Sequence, residues 1–171
     1  EFRRVLFRSM NFPLSILSSY IVLSKFYTHI LLLILIMLIC ALNGYYPTIY
    51  TLQLLIFIPY TLLLTMTITL LTSTLAVIIR DVQMLMQALM RIIFFISSIL
   101  YLPTNTLVLK VIQFNPIYFI AESYRAAILY QNWFFITHWK LSLYNLTFLL
   151  ITFVLGSLLH VKYREQFADF L

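Results

Sequence analysis

Charged residues are scarce in this sequence. Only 9% of its 171 residues are Asp, Glu, Lys or Arg, whereas 63% are hydrophobic. A typical soluble domain is about a quarter charged, because a globular core needs a polar shell against water. This chain cannot supply such a shell, so lipid must take its place. The composition predicts an all-α integral membrane protein, with helices as the spans.

Glycine and cysteine are nearly absent as well. The two glycines, Gly44 and Gly156, do not precede a lysine, so the sequence has no Walker A loop to hold phosphates. The chain should therefore bind no nucleotide cofactor itself and should not hydrolyse ATP alone. Cys40 has no second cysteine to pair with, which excludes a disulfide and a thiolate metal site. No hydrolase or zinc-protease motif is present, so we expect neither an enzyme nor a metal site.

The first nine residues read EFRRVLFRS and resemble the in-frame translation of a common sequencing adapter. We interpret residues 1–9 as a non-native segment and leave it out of the fold reasoning. The alternative is a basic N-terminal arm. On the adapter interpretation, the natural chain begins upstream and residues 10–171 form a single transmembrane domain fragment.

Four apolar stretches are long enough to cross a bilayer, which takes about 20 residues of helix. Turn residues between Asn43 and Pro47 divide a long stretch without charge, and Arg80-Asp81 ends the second part of it. We predict spans at residues 24–42, 54–79, 84–101 and 141–160. The basic residues near the predicted ends favour a cytoplasmic location for both ends of the chain.

The region between Pro103 and Lys140 predicts a different structure. Residues 107–114 and 117–130 are apolar but too short to span, and Asn115-Pro116 separates them. Asn115 suits a helix cap and Pro116 the first helical position. We therefore predict a re-entrant or interfacial helical hairpin between the third and fourth spans, packed in protein or facing water. Aromatic residues before the fourth span predict an outer interfacial belt, namely Tyr130, Trp133, Phe134, Phe135 and Trp139.

Polar residues in the spans are candidates for function. Thr61, Thr65, Thr69 and Thr72 repeat at helical spacing and therefore share a face of the second span. They could line a hydrophilic conduit or pack helices together, and packing is the commoner role in membranes.

Two charged pairs are the other candidates. Glu122 and Arg125 are spaced for an ion pair on one helix, which is either a functional pair at membrane depth or an exposed pair at the interface. Arg80-Asp81 is either an anchor that ends a helix or a contact for a cytoplasmic partner, and its spacing alone favours the anchor.

Several motifs in order resemble one protein family. The stretches are NFPLSIL at 11–17, RDV at 80–82, NPIY at 115–118, ESYR at 122–125, NWFF at 132–135 and GSLLHVKYREQFADF at 156–170. Together they resemble the permease subunit of type 2 ABC exporters for polysaccharides. The ending is most similar to teichoic-acid translocation permeases. The resemblance covers essentially all of residues 10–171.

This resemblance implies a bacterial plasma-membrane protein with six spans, of which this chain holds the C-terminal four. It implies a permease homodimer that pairs with two copies of a cytoplasmic ABC ATPase, where ATP and Mg bind. The substrate would be a lipid-linked glycan moved outward among membrane lipids, and no nucleic acid would be involved. The resemblance places ATPase coupling at Phe12, Pro13, Leu14, Arg80 and Asp81. The extracellular re-entrant gate would comprise Asn115, Pro116, Tyr118, Glu122, Tyr124 and Arg125.

Two other functions remain open. A permease of the same fold could export a drug or a small lipid, which predicts a neighbouring ATPase gene without glycan genes nearby. A proton-coupled transporter or an intramembrane enzyme would need carboxylates within the spans, whereas Asp81 and Glu122 fall near span ends.

Overall fold

The computed structural model describes residues 14–79, 81–97, 99 and 105–163, with side chains from residue 18 onward. All regular structure in these ranges is helical, so the all-α prediction is confirmed for the described part of the chain. The elements in chain order are α1 (Leu14–Leu42), a 3₁₀ helix (Ile49–Gln53), α2 (Leu54–Ile78), α3 (Val82–Ile96), α4 (Thr106–Ile112), α5 (Pro116–Arg125), a π-helical turn (Ala126–Tyr130), α6 (Phe134–Thr137) and α7 (Trp139–Tyr163).

Three helical stretches are long and apolar enough to cross a membrane. They cover Ser18–Leu42, Ile49–Ile78 and Trp139–Tyr163, with 25, 30 and 25 residues. A bilayer needs about 20 residues, so each has the required length. Many of their large apolar side chains lie on the outside of the helix bundle, where lipid replaces water as the solvent. These stretches match the first, second and fourth predicted spans.

The predicted third span is shorter in the structure than expected. Helix α3 has 15 residues, about 22 Å at 1.5 Å per residue, against a hydrocarbon core of about 30 Å. Its last residue is Ile96, and the buried Ser97 that follows donates its hydroxyl to the carbonyl oxygen of Phe94 at 2.7 Å. Residues 98 and 100–104 lie outside the described part. The described chain therefore contains three helices of spanning length, and the expectation of four is not met.

Both predicted chain breaks are confirmed. Gly44 has a φ of +90° after the end of α1, a conformation that glycine adopts without steric cost, and Asn43 donates its side chain to the carbonyl oxygen of Ile39 at 2.8 Å. The two short helices on either side of the second break are α4 and α5. Asn115 caps α5 through the N–H of Ile117, and Pro116 is the first helical residue.

Helices α2 and α7 run side by side in the same direction. The residue numbers of three polar contacts between them increase together along both helices. These contacts join Tyr60 to Asn145 at 3.2 Å, Thr67 to Thr152 at 3.3 Å and Thr74 to His160 at 3.5 Å. Since α1 joins α2 through a short turn, α1 runs the opposite way. Between Ile78 and Trp139 the chain must therefore return to the level at which α2 begins.

Gly156 allows α2 and α7 to approach closely. A Cβ atom at this position would lie 3.3 Å from the backbone nitrogen of Leu71, which is tighter than ordinary van der Waals contact. Small residues at helix crossings are how membrane helices gain packing energy when lipid is as apolar as the side chains.

A buried amide fixes the start of α2 to the chain before α7. Gln53 is 1% exposed, and its Nε2 donates to the carbonyl oxygens of Asn132 at 2.6 Å and Tyr50 at 3.0 Å. Its Oε1 accepts from the N–H of Phe134 at 2.9 Å. One buried side chain thus hydrogen-bonds to three backbone groups, including the buried N–H of Phe134.

An aromatic core lies beside this amide. Phe57, Phe119 and Phe134 pack with Ala126, and the three rings meet edge to face with centroids 5.6 to 6.2 Å apart. Phe134 was predicted in the interfacial belt, but it is 5% exposed, so that prediction was wrong for this residue. Hydropathy could not separate the two places because both favour an aromatic ring.

We expect Gly156→Leu to lower the free energy of unfolding by about 1–3 kcal/mol, because the added side chain must push α7 away from α2. Unfolding by sodium dodecyl sulfate, followed by circular dichroism, measures this change. Val154→Leu is the matched control, since Val154 is on the same helix and 51% exposed. Equal stability of the two variants would contradict close packing at Gly156.

We expect Gln53→Leu to lower the free energy of unfolding by about 1–3 kcal/mol, because the buried N–H of Phe134 loses its acceptor. The same unfolding titration measures the loss. Gln83→Leu serves as a control, since Gln83 is exposed on α3. A loss no larger than that of the control would rule out the proposed role of Gln53.

Candidate functional site

Three polar side chains from three helices meet where α5 packs against α1 and α2. The hydroxyl of Tyr124 lies 3.1 Å from Nε2 of His29 and 3.2 Å from Oγ1 of Thr61. His29 and Thr61 both lie well inside stretches of spanning length. We call Tyr124, His29 and Thr61 the Tyr124 cluster. Through it, a helix too short to span lies beside two helices that can span.

The hydrogen bonds of the Tyr124 cluster have one direction. Thr61 donates its hydroxyl to the carbonyl oxygen of Phe57 at 2.8 Å, so its oxygen accepts from Tyr124. A tyrosine hydroxyl has one proton, and Tyr124 donates it to Thr61. Nε2 of His29 is therefore assigned as the donor to the hydroxyl oxygen of Tyr124. Polar groups from α1, α5 and α2 thus satisfy one another in series.

The Glu122 and Arg125 side chains form the predicted ion pair. Nη1 of Arg125 lies 2.6 Å from Oε1 of Glu122, with the side chains 23% and 13% exposed, respectively. Arg125 also donates from Nη2 to the carbonyl oxygen of Ile99 at 3.0 Å. The pair therefore connects α5 to the chain that follows α3, and a helix-surface pair would not make this second contact.

The other polar residues of the predicted gate lie in different surroundings. Tyr118 is buried at 9% exposure, and this burial, followed by the nearby charge of Glu122, raises the pKa of its hydroxyl above the ordinary 10. Burial also raises the pKa of Tyr124, so both are neutral hydroxyls at physiological pH. Asn115 caps α5 and donates from Nδ2 to the carbonyl oxygen of Ile93 at 3.2 Å, which ties the start of α5 to α3.

The predicted threonine stripe divides into two environments. Thr61 is buried in the Tyr124 cluster, Thr65 is exposed, and Thr69 and Thr72 are partly exposed. Thr65 and Thr72 donate to carbonyl oxygens of their own helix. Their role as conduit lining remains a prediction.

Two threonines outside the predicted stripe are the ones that pack α2 against α7. Thr67 and Thr74, at 4% and 1% exposure, face α7, as their contacts with Thr152 and His160 require. Neither residue was among the threonines predicted from the sequence, although a spacing of seven residues puts them on one helix face.

The predicted coupling residues are only partly within the described chain. Phe12, Pro13 and Arg80 lie outside it. Leu14 is the first residue of α1, and Asp81 is exposed between α2 and α3. Because α1 and α2 are antiparallel, Leu14 and Asp81 lie toward the same end of the helix pair.

His29 is a functional candidate that the sequence did not indicate, because its partner Tyr124 is 95 residues away. Among the described residues, no group of three or more His, Cys, Asp or Glu side chains could hold a metal ion. No protein-family model and no curated protein matches this chain. The interpretation of the site therefore rests on its residues and geometry.

We expect Tyr124→Phe to destabilise the fold, because the hydroxyl makes two interhelical contacts worth about 0.6 kcal/mol each in membrane proteins. Unfolding in sodium dodecyl sulfate measures the loss. Tyr130→Phe, which removes a hydroxyl from a side chain 50% exposed, should leave stability unchanged. Identical unfolding curves for the two variants would mean that the Tyr124 hydroxyl does not stabilise the contact between α1, α2 and α5.

Proposed function

We propose that this chain is the membrane subunit of an ATP-driven exporter of lipid-linked polysaccharide, with teichoic acid as the nearest substrate class. The order of motifs from residue 11 to residue 170 supports the family, and the scarcity of charge supports a transmembrane role. The location is the bacterial plasma membrane, with both ends of the chain on the cytoplasmic side.

The placement of α5 is the observation that carries this proposal. Its Tyr124 contacts His29 and Thr61 within the length of two spanning stretches. A short helix at membrane depth must be packed in protein or face a water-filled path. We assign α4 and α5 to a re-entrant hairpin that closes the outer end of the conduit, with the Glu122–Arg125 pair fastening α5 to the end of α3.

The topology follows from the lengths of the helices. α1, α2 and α7 cross the membrane, and α3 together with the hairpin returns the chain between the parallel helices α2 and α7. This arrangement needs no fourth span of full length. It leaves the start of α1 and the end of α7 on the same side, which the positive-inside rule assigns to the cytoplasm.

The energy for transport comes from a second polypeptide in this proposal. The chain has only Gly44 and Gly156 and thus no loop to cradle phosphates, so ATP and Mg bind to a cytoplasmic ABC ATPase. Contact with that ATPase is assigned to the segment 12–14 and to Arg80-Asp81.

A second copy of the permease completes the conduit. Thr65 is exposed, and Thr69 and Thr72 are partly exposed, on the single chain. We assign this face to the wall of the path, where hydroxyls tolerate sugars without strong charge. In a homodimer the two faces would enclose the path, with Thr61 at its edge.

Depletion of the full-length gene should reduce the polysaccharide at the cell surface. A complementing copy with Glu122→Gln and Arg125→Gln should restore less polymer than wild type, because α5 loses its attachment to the end of α3. Tyr130→Phe is the matched control and should restore it fully. Surface polymer that stays undiminished on depletion would reject the proposal.

Transport in proteoliposomes distinguishes the competing functions. Export of lipid-linked glycan should require ATP and the partner ATPase together. Transport that proceeds on a proton gradient without nucleotide would assign the chain to the proton-coupled class. ATP-dependent transport of a drug or a small lipid, with no glycan movement, would keep the ABC fold and change the substrate.

A further inference from the structure

A concave surface lies between the end of α4 and the start of α7, and none of its lining residues belongs to the Tyr124 cluster. It is an open groove of about 470 Å³. Its walls include Lys110, Phe114, His138, Trp139, Lys140 and Tyr144. We call it the Lys110–Lys140 groove. The proposed export function assigns no role to it.

Both lysines of the groove lack a counterion in the described part of the chain. Neither Lys110 nor Lys140 forms an ion pair there, and no lining residue is acidic. Lys140 is the second residue of α7, where the positive end of the helix dipole opposes a cation. The Nζ atom of Lys140 lies over the Trp139 ring, 5.6 Å from its centroid, in a cation–π contact. The groove therefore concentrates positive charge and is complementary to an anion.

The side chain of Tyr144, on α7, connects the two walls of the groove. Tyr144 donates its hydroxyl to the carbonyl oxygen of Phe114 at 3.1 Å, and the rings of the two residues meet edge to face at 5.5 Å. This double contact connects the turn after α4 to the first turns of α7. The groove is therefore built by tertiary contacts and is more than a cluster of neighbouring residues on one helix.

The position and the aromatic rings identify the kind of anion. The groove lies at the first turns of α7, which has spanning length, and aromatic rings at such helix ends lie at the level of lipid headgroups. Trp139 and Phe114 are 58% and 65% exposed. Lysines beside exposed rings suit a ligand that is charged at one end and apolar at the other.

We propose that the Lys110–Lys140 groove binds the phosphate group of an anionic membrane lipid, with Trp139 and Phe114 against its apolar part. The proposal depends on the membrane location of α7 and is independent of transport. Failure of the export experiments would leave it intact, and its own failure would leave the export proposal intact.

Quenching of Trp139 fluorescence tests this proposal. The full chain with Trp133→Phe, which keeps an aromatic ring beside Tyr50 and leaves Trp139 as the one tryptophan, is placed in nanodiscs of phosphatidylcholine. Brominated phosphatidylglycerol or brominated phosphatidylcholine is then titrated in. We expect the anionic lipid to quench Trp139 at lower mole fraction. This preference should fall about fivefold for each lysine changed to glutamine.

Two further variants control the result. Lys162→Gln changes a lysine at the opposite end of α7 that also lies over an aromatic ring, that of Tyr163 at 5.4 Å, and it should leave the preference unchanged. Lys110→Arg with Lys140→Arg keeps the charge and should retain it. Both lysines are exposed, so the helical circular dichroism should be the same for all variants.

The outcomes separate a lipid from a free anion. Loss of the preference in the glutamine variants, with retention in the Lys162 and arginine variants, supports the lipid site. An unchanged preference in Lys110→Gln/Lys140→Gln overturns it. Inorganic phosphate added to discs without anionic lipid should not change Trp139 emission. A saturable response to phosphate that needs both lysines would assign the groove to a soluble anion and reject the lipid.

Discussion

Polar groups at membrane depth have no water to bond, so each must find a partner inside the protein. That constraint determines how the short helices of this chain are held. Asn115 satisfies the first turn of α5 and reaches the carbonyl oxygen of Ile93, while Gln53 serves three backbone groups with one amide. At the start of α2 and at the start of α5, one side chain hydrogen-bonds to the backbone of a separate segment.

The same constraint explains the arrangement of the long helices. Lipid is as apolar as leucine, so α2 and α7 gain little from hydrophobic contact alone. They associate through Gly156 and through threonine hydroxyls that pair across the crossing. The parallel direction of these helices then forces the intervening chain to return, and α3 to α6 make that return in short pieces.

Both candidate sites of this protein include residues of those short pieces. The return segment between α2 and α7 carries Tyr124, Lys110 and the Glu122–Arg125 pair. The Tyr124 cluster lies between α1, α2 and α5, and the Glu122–Arg125 pair fastens the same helix toward α3. The Lys110–Lys140 groove lies between the end of α4 and the start of α7. One segment therefore contributes residues to a hydrogen-bonding site and to a cationic groove.

The sequence by itself determined the helices and their breaks. Hydropathy located both ends of α2 and α7 to within three residues, because the length of a bilayer fixes the length of the apolar run. It located the end of α1 as well, but α1 begins at Leu14, well before the predicted start at residue 24. Asn115-Pro116 located the break between α4 and α5, and the spacing of Glu122 and Arg125 predicted their ion pair, because both depend on neighbours in the chain. Only the tertiary structure decided the end of α3, the burial of Phe134, the faces of the threonines and the partner of His29. Those features join residues up to 95 positions apart, and an apolar helix face reads the same in sequence whether it meets lipid or protein.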